Sequence, residues 1–205
     1  MSRVKSRREQ YSEATRAALL EAAARRFAEH GFAGTALEDV AADIQATRGA
    51  VYHHFANKTA LFRAVYEDVE TTMLTRVKEA AAAHPDDVGA AADAALAMFL
   101  ECCCEPVYGR LVWQEAPVAL GWQEWKASEE RYAFGMIEAT VRTLIEVGKL
   151  PPLPVITFAR TVFHLLGSAG IDLALTAEPD KARVKDEYLQ VLRYMLGERP
   201  GPATP

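Results

Sequence analysis

Within the twelve residues from Thr47 to Lys58 the chain places a hydroxyl (Thr47), a guanidinium (Arg48), a phenol (Tyr52), two imidazoles (His53 and His54) and an ammonium (Lys58), with Gly49 among them. If a helix starts at Arg48, Val51 and Phe55 fall on one face at i and i+4. Arg48, Gly49, Tyr52 and His53 then lie on or near the opposite side. That side offers N–H and O–H donors around a residue with no side chain, so another surface can come close. Such donors suit the major groove of duplex DNA, where they read base edges and anchor phosphates. Lys58 falls in the first turn of the next helix, where a cation opposes the helix dipole; a phosphate contact accounts for it and helix stability does not.

The other reactive residues point to no enzyme. Cys102, Cys103 and Cys104 are consecutive. Neighbours on a helix point about 100° apart, so the three cannot surround one metal ion, and no Cys-x-x-Cys pair exists. Buried small hydrophobes are the favoured reading of the run, with a thiol redox sensor as the alternative. There is no His-Glu-x-x-His, and no Ser or Cys nucleophile has a recognisable base nearby. The expectation is a chain without catalytic residues, cofactor or metal; a metabolite-binding helical bundle or enzyme with a vestigial front end is the remaining alternative.

The elements that carry these residues are helices. Helix-period patterns dominate, and neither an alternating strand nor an Asn-Gly hairpin is found. Ser12 is a cap for a first helix carrying Leu20, Ala23, Ala24 and Phe27, which stops at Gly31. Thr35-Ala36-Leu37-Glu38 reads as a capping box opening a short second helix, and Thr47 caps the third, Arg48 to His54. Asn57 opens a long helix to about Ala83, with Leu61, Val65, Val69, Met73 and Val77 as its buried stripe. Five further helices follow between prolines: about 87–104, 107–115, 122–148, 154–175 and 181–196, with Pro106, Pro117, Pro151-Pro152 and Pro179 as breaks. The fold class is all-α, about nine helices: a flexible basic arm (1–11), a three-helix helix-turn-helix unit (12–58, motif about 36–55), a helical ligand-binding and dimerisation domain (59–197) and a flexible tail (198–205).

Charge follows the same division. The 205 residues carry a net −5, which by itself argues against a polyanionic partner, yet residues 1–63 carry +3 and the remainder −8. A basic front on an acidic body is the footprint of a nucleic-acid module joined to a part that must not bind nucleic acid. No apolar run reaches the roughly 18 residues of a membrane span, and no apolar core follows the N-terminal basic residues, so a cytoplasmic protein with no membrane partner is expected.

Residues 13–66 resemble the DNA-binding domain of the TetR family of bacterial transcriptional repressors. The resemblance rests on Phe27-Ala28-Glu29-His30-Gly31-Phe32, Gly34-Thr35, Val40-Ala41, the run Thr47 to Phe55, Asn57-Lys58, Leu61 and Phe62. It implies that Thr47, Arg48, Gly49, Tyr52, His53, His54 and Lys58 touch DNA, with Tyr52, His54 and Lys58 on phosphates and Arg48 and His53 nearer the bases. It also places Thr35 at the DNA backbone. Plainer readings stand beside these: Thr35 and Thr47 as caps only, Tyr52 as half-buried core, His54 in local packing, and Arg48, His53 and Lys58 as a solvated face. Two departures stand out. Gln45 occupies a turn position where the family usually has Gly, and Ala36 stands where many members have a second Thr.

One recognition helix covers about half a turn of groove, so a homodimer on a palindromic operator is expected. Gly167, Gly170 and Ala174 would let partner helices approach closely, while Tyr188, Val191, Leu192 and Met195 give the last helix an apolar face; the alternative is packing within one subunit. Phe99, Cys103, Trp113, Trp122, Phe163 and His164 are candidates for a pocket holding a small apolar or aromatic effector, with ordinary core as the alternative and a hydrogen-bonded core role for His164. The segment from Arg110 through Trp125 to Tyr132 resembles the C-terminal part of a TetR subgroup of unassigned effectors. The resemblance implies that ligand binding shifts the long helix after Asn57, changes the separation of the two recognition helices and releases the operator.

Overall fold

Helix α1, Arg7–His30, opens with Ser6, whose Oγ accepts from the Glu9 N–H at 3.3 Å while the Glu9 carboxylate accepts from the Ser6 N–H at 2.7 Å. This capping box lies six residues before Ser12, which is inside the helix, so residues 7–11 are helical and belong to no arm. The computed structural model describes residues 6–197; the expectations for residues 1–5 and for the 198–205 tail lie outside the described residues. Gly31, at φ +73°, ends α1 with its N–H on the Phe27 carbonyl.

Helices α2 (Leu37–Asp43) and α3 (Arg48–His54) follow, joined by a tight turn. Leu19, Phe27, Val40, Val51, Leu61 and Phe62 are 0 % exposed and hold α1, α2 and α3 against the start of α4. The Arg26 guanidinium grips Asp43 through two hydrogen bonds of 2.5 and 2.8 Å, fixing α2 on α1. Gln45 in the turn sits at φ +54°, the left-handed conformation that glycine adopts freely. A Cβ there costs roughly 1 kcal/mol. Gln45→Gly is therefore expected to leave the fold unchanged and shift stability upward, by at most about 1 kcal/mol once the added chain entropy of glycine is counted; urea unfolding of the two proteins measures it.

Asn57 Oδ1 accepts from the Ala60 N–H at 2.8 Å and starts α4, Lys58–Ala82, about 37 Å long at 1.5 Å per residue. Its buried stripe includes Tyr66, Glu70, Met73 and Val77, with Val69 half-buried against the same core and Glu70 fully buried beside it. Asp87 caps α5, Val88–Cys104. Pro106 begins α6, a helical stretch over 106–119 whose residues Gly109–Glu115 wind as a π-helix. Pro117 does not end it: it sits in the α-helical segment Ala116–Ala119 that resumes directly after the π stretch. Helix α7 spans 122–146, again with a π segment at Glu130–Phe134. Then come α8, Val155–Leu175, and α9, Asp180–Met195, the latter tied to α5 by Arg193 and Asp93 at 2.5 and 2.8 Å. The all-α fold of nine helices is the one expected, with no strand among the described residues.

Candidate nucleic-acid interface and internal cavity

Helix α3 projects from the three-helix unit with its functional side outward. Thr47 caps it, Oγ1 accepting from the Ala50 N–H at 3.2 Å, and Val51 and Phe55 anchor it in the core. Arg48 has 73 % of its side chain exposed, Tyr52 is 42 % exposed, and Thr47, Gly49 and His53 are exposed as well. Glu38 of α2, not singled out from the sequence, organises this face. Its Oε1 lies 3.1 Å from Arg48 Nε and accepts from the Tyr52 hydroxyl at 3.2 Å, and the Arg48 guanidinium stands 5.4 Å from the Tyr52 ring centre. A backbone hydrogen bond, the Tyr52 hydroxyl and the Arg48 charge hold the Glu38 carboxyl below the usual range. His54 is half-buried; burial, and then the charges of His53 and Arg16, lower its pKa and favour the neutral imidazole.

Two expected contacts turn inward. Thr35 is 2 % exposed and does not cap α2, whose N-cap is Ala36 without a side-chain hydrogen bond. The Thr35 hydroxyl donates instead to the Gly31 carbonyl at 2.9 Å, with the Arg26 carbonyl at 3.3 Å, so it pins the end of α1. Lys58 is explained by its own subunit: its Nζ donates to the Phe32 carbonyl at 2.8 Å and the Ala33 carbonyl at 3.3 Å, 4.6 Å from the Phe32 ring centre. The ammonium that α4 would not favour is favoured by carbonyls just beyond α1. Lys58→Ala is expected to lower stability by about 1–2 kcal/mol, since a charged, partly buried hydrogen bond is lost; thermal unfolding measures this independently of DNA.

The second candidate site is a cavity of about 730 Å³ lined chiefly by α4 to α8 and open to solvent on one side. Phe99, Trp113, Trp122, Phe163 and His164 line it, Trp122 with 59 % exposure. Cys103 does not: it is 1 % exposed, packed in the core beside the wall. His164 is exposed, not a core residue. Trp125 also lines the cavity, with Met73, Glu70 and Glu129; of the four, the sequence pattern marks only Trp125 as a pocket residue. Glu70 and Glu129 are 1 % and 9 % exposed. Glu70 accepts from the Tyr108 hydroxyl at 3.1 Å, and Glu129 from the Tyr66 hydroxyl at 2.5 Å. Burial pushes the Glu129 carboxyl up to about 7 against the Tyr66 hydrogen bond. It also raises Glu70, aided by the charge of Glu129 and opposed by Tyr108. The signal was available in α4: Tyr66, Glu70, Met73 and Val77 recur at i, i+4, i+7 and i+11, with an acid in an apolar stripe.

Burial works against the thiolate form that sensing requires at all three cysteines: it pushes Cys102 up to about 11 and raises Cys103 and Cys104 too. All three are free.

A bond joins the two sites. Glu115, on the π segment two residues after Trp113, accepts from the Phe32 N–H at 2.7 Å and lies beside Gly31, where a Cβ would come within 2.9 Å of its Oε1. Arg63 of α4 pairs with Glu124 of α7 at 2.6 Å.

The face of α8 and α9 divides the expected interface residues. Gly170 is small for the sake of its own subunit: a Cβ would stand 2.3 Å from the Trp113 ring. Leu192 is fully buried, Met195 packs into a cluster with Val141 and Val162, and Ala174 lies against Gly109. Gly167 borders the cavity. The Tyr188 hydroxyl donates to Asp172. Val191 remains 51 % exposed, joined by Leu175 at 68 % and Tyr194 at 66 %.

A short capped helix held outward from a three-helix unit, followed by a six-helix body with an internal cavity, defines a helix-turn-helix regulator architecture. Residues 19–65 match the profile of bacterial regulatory proteins of the tetR family, and residues 89–198 match the tetracyclin repressor-like C-terminal domain. The chain belongs to the TetR family of DNA-binding regulatory proteins. It is similar to the "Probable acrEF/envCD operon repressor" of Escherichia coli, 48 % identical over 52 residues, covering 25 % of this chain and 24 % of that protein. It is also similar to the HTH-type transcriptional regulator TtgR of Pseudomonas putida, 41 % identical over 66 residues, covering 32 % and 31 %. These matches span about a quarter to a third of the relatives' lengths. A crystal structure of a TetR-family transcriptional regulator from Pectobacterium atrosepticum superposes with a TM-score of 0.77 at 26 % identity, over 96 % of this chain and all of that one.

Proposed function

We propose that the protein is a repressor that binds a palindromic operator as a homodimer and is released by a small-molecule effector. The observation that carries this reading is the outward face of α3, where Arg48, Gly49, Tyr52 and His53 stand exposed on a helix fixed by the Thr47 cap and two buried apolar anchors. Arg48 suits bidentate reading of a guanine edge, and Tyr52 a phosphate. One such helix engages too little groove for a specific complex, and the apolar Leu175, Val191 and Tyr194 on the last two helices supply a face for a second copy.

Effector response follows from the bonds that join cavity and reading unit. An occupant that displaces Trp113 moves the same helical segment that carries Glu115, and with it the acceptor of the Phe32 N–H. Helix α4 adds a second route, since it begins at the Lys58 latch and lines the cavity from Glu70 onward. A ligand that favours one arrangement of these contacts changes operator affinity by its differential affinity for the two.

The test is a gel shift with DNA flanking the protein's own gene, at rising salt, alongside size-exclusion chromatography. Support is a sequence-specific, salt-sensitive complex containing two chains per site. A protein that stays monomeric and shifts no duplex even at low salt defeats the proposal.

A further inference from the structure

The cavity holds groups that an apolar ligand alone leaves unused. Glu70 and Glu129, 1 % and 9 % exposed, reach it from α4 and α7, and each has one hydrogen-bonding partner, a tyrosine. Among the described residues neither carboxyl is paired with a cation; the lysines of the cavity lining, Lys78 and Lys126, are exposed. A second, independent observation lies in the tryptophans of the same lining. Trp113 and Trp125 are 7 % and 5 % exposed with fully buried indole N–H groups; that of Trp113 has only the Cys103 sulfur beside it, and that of Trp125 has no partner among the described residues. The rings form a continuous aromatic wall: Trp113 and Trp125 meet edge to face at 6.0 Å, and Trp122 lies 4.9 Å from Trp125.

Buried acids are expensive to hold without a positive partner. Unpaired buried donors are expensive too. Both costs are relieved by one kind of occupant. A positive charge between the two carboxyls pairs with them, the indole faces attract the same charge through their π electrons, and an acceptor atom on the ligand satisfies an indole N–H. An anionic occupant would instead meet two acids in a site of low dielectric, and a neutral hydrocarbon would leave acids and indoles as they are. We propose that the cavity binds a lipophilic organic cation: an aromatic or aliphatic skeleton bearing an ammonium-type charge seated between Glu70, Glu129 and the tryptophan wall, and a hydrogen-bond acceptor facing an indole N–H. This names the effector class of the repressor proposed above and rests on that reading.

Three tricyclic probes of similar size separate charge from shape: 10-methylacridinium, a fixed cation; 9-methylacridine, neutral at about pH 8; and anthracene-9-carboxylate. Calorimetric titration of the full chain without DNA is expected to show the cation binding roughly tenfold or more tighter than the neutral probe, and the anion weakest. The Glu70→Gln, Glu129→Gln double variant keeps the side-chain shapes. It is expected to weaken only the cation, bringing it within about twofold of the neutral probe, whose unchanged affinity shows that the cavity is intact. Equal affinity for cation and neutral probe, preference for the anion, indifference of the cation to the double variant, or binding of none of the three overturns the proposal. Gel shifts with the same probes distinguish it from the repressor reading: a neutral or anionic probe that binds and releases DNA overturns the cation specificity and leaves effector response standing, whereas a cation that binds as expected without releasing DNA upholds the cavity and defeats effector response.

Discussion

Gly49→Glu is expected to lower operator affinity on the order of a hundredfold or more while leaving the protein folded. Gly49 is exposed in the first turn of α3, and a Cβ there meets only Thr47 Oγ1, at 3.8 Å. The subunit therefore has no steric need for glycine at this position. A carboxylate in the first turn also complements the helix dipole, so the fold has reason to accept it. DNA does not: the new side chain stands between Arg48 and Tyr52 on the outward face and brings negative charge to a phosphate-lined groove. Gly49→Ala sharpens the contrast, because alanine in a helix is favoured over glycine by roughly 0.5–1 kcal/mol. That variant is expected to unfold at higher temperature yet bind DNA more weakly. Thermal unfolding beside fluorescence anisotropy on a labelled operator reads both quantities; a Glu variant that binds like the parent protein would remove α3 from the groove.

The second large effect concerns the buried acids. Burial raises Glu129 to about 7, above the ordinary value of about 4.3 that it takes in the unfolded chain. The sign follows directly. A carboxyl whose pKa is higher in the folded state contributes stability that is fully present below about pH 4 and is lost as pH rises through about 7. Tyr66 faces the carboxyl directly, with Glu70 and Tyr108 in the same buried group; the cavity's two lysines are exposed. Glu129→Gln keeps an oxygen for the Tyr66 hydroxyl and cannot ionise. It is expected to match the parent protein near pH 4 and exceed it at pH 8 by on the order of 3 kcal/mol, with a flatter dependence between. Urea unfolding at the two pH values decides it; equal stability at pH 8 would mean that the Glu129 carboxylate is already compensated in the folded chain.

What could be read from the sequence follows the range of the interactions involved. Helix periodicity and local caps are short-range, so the outward side of α3, the Thr47 cap and the Asn57 start of α4 were legible, and so was the left-handed turn at Gln45. Thr35 was misread although its motif was local, because a contact from another part of the chain won: its hydroxyl serves the carbonyl end of α1 and leaves α2 without a side-chain cap. The partner of Lys58 within the chain was out of reach of a local pattern for the same reason, since it lies 26 residues back. Residue type indicated an aromatic cavity, but not which groups face it. Cys103 and Trp113 both belong to the helical body, yet only the tryptophan reaches the opening. Gly170 shows why small residues alone could not locate the interface, since a glycine that admits a partner helix and one that admits a tryptophan of its own subunit look alike in sequence.

Hydroxyl-radical footprinting on the DNA flanking the protein's own gene tests the central claim most directly, that α3 is a DNA-reading helix presented twice by a symmetric pair of chains. Two protected segments related by a two-fold axis are expected, with half-site centres a whole number of helical turns of about 34 Å apart, and with Arg48→Ala relaxing base preference at one position in each half. A single unsymmetric footprint, or one that neither Arg48→Ala nor Gly49→Glu alters, would contradict it.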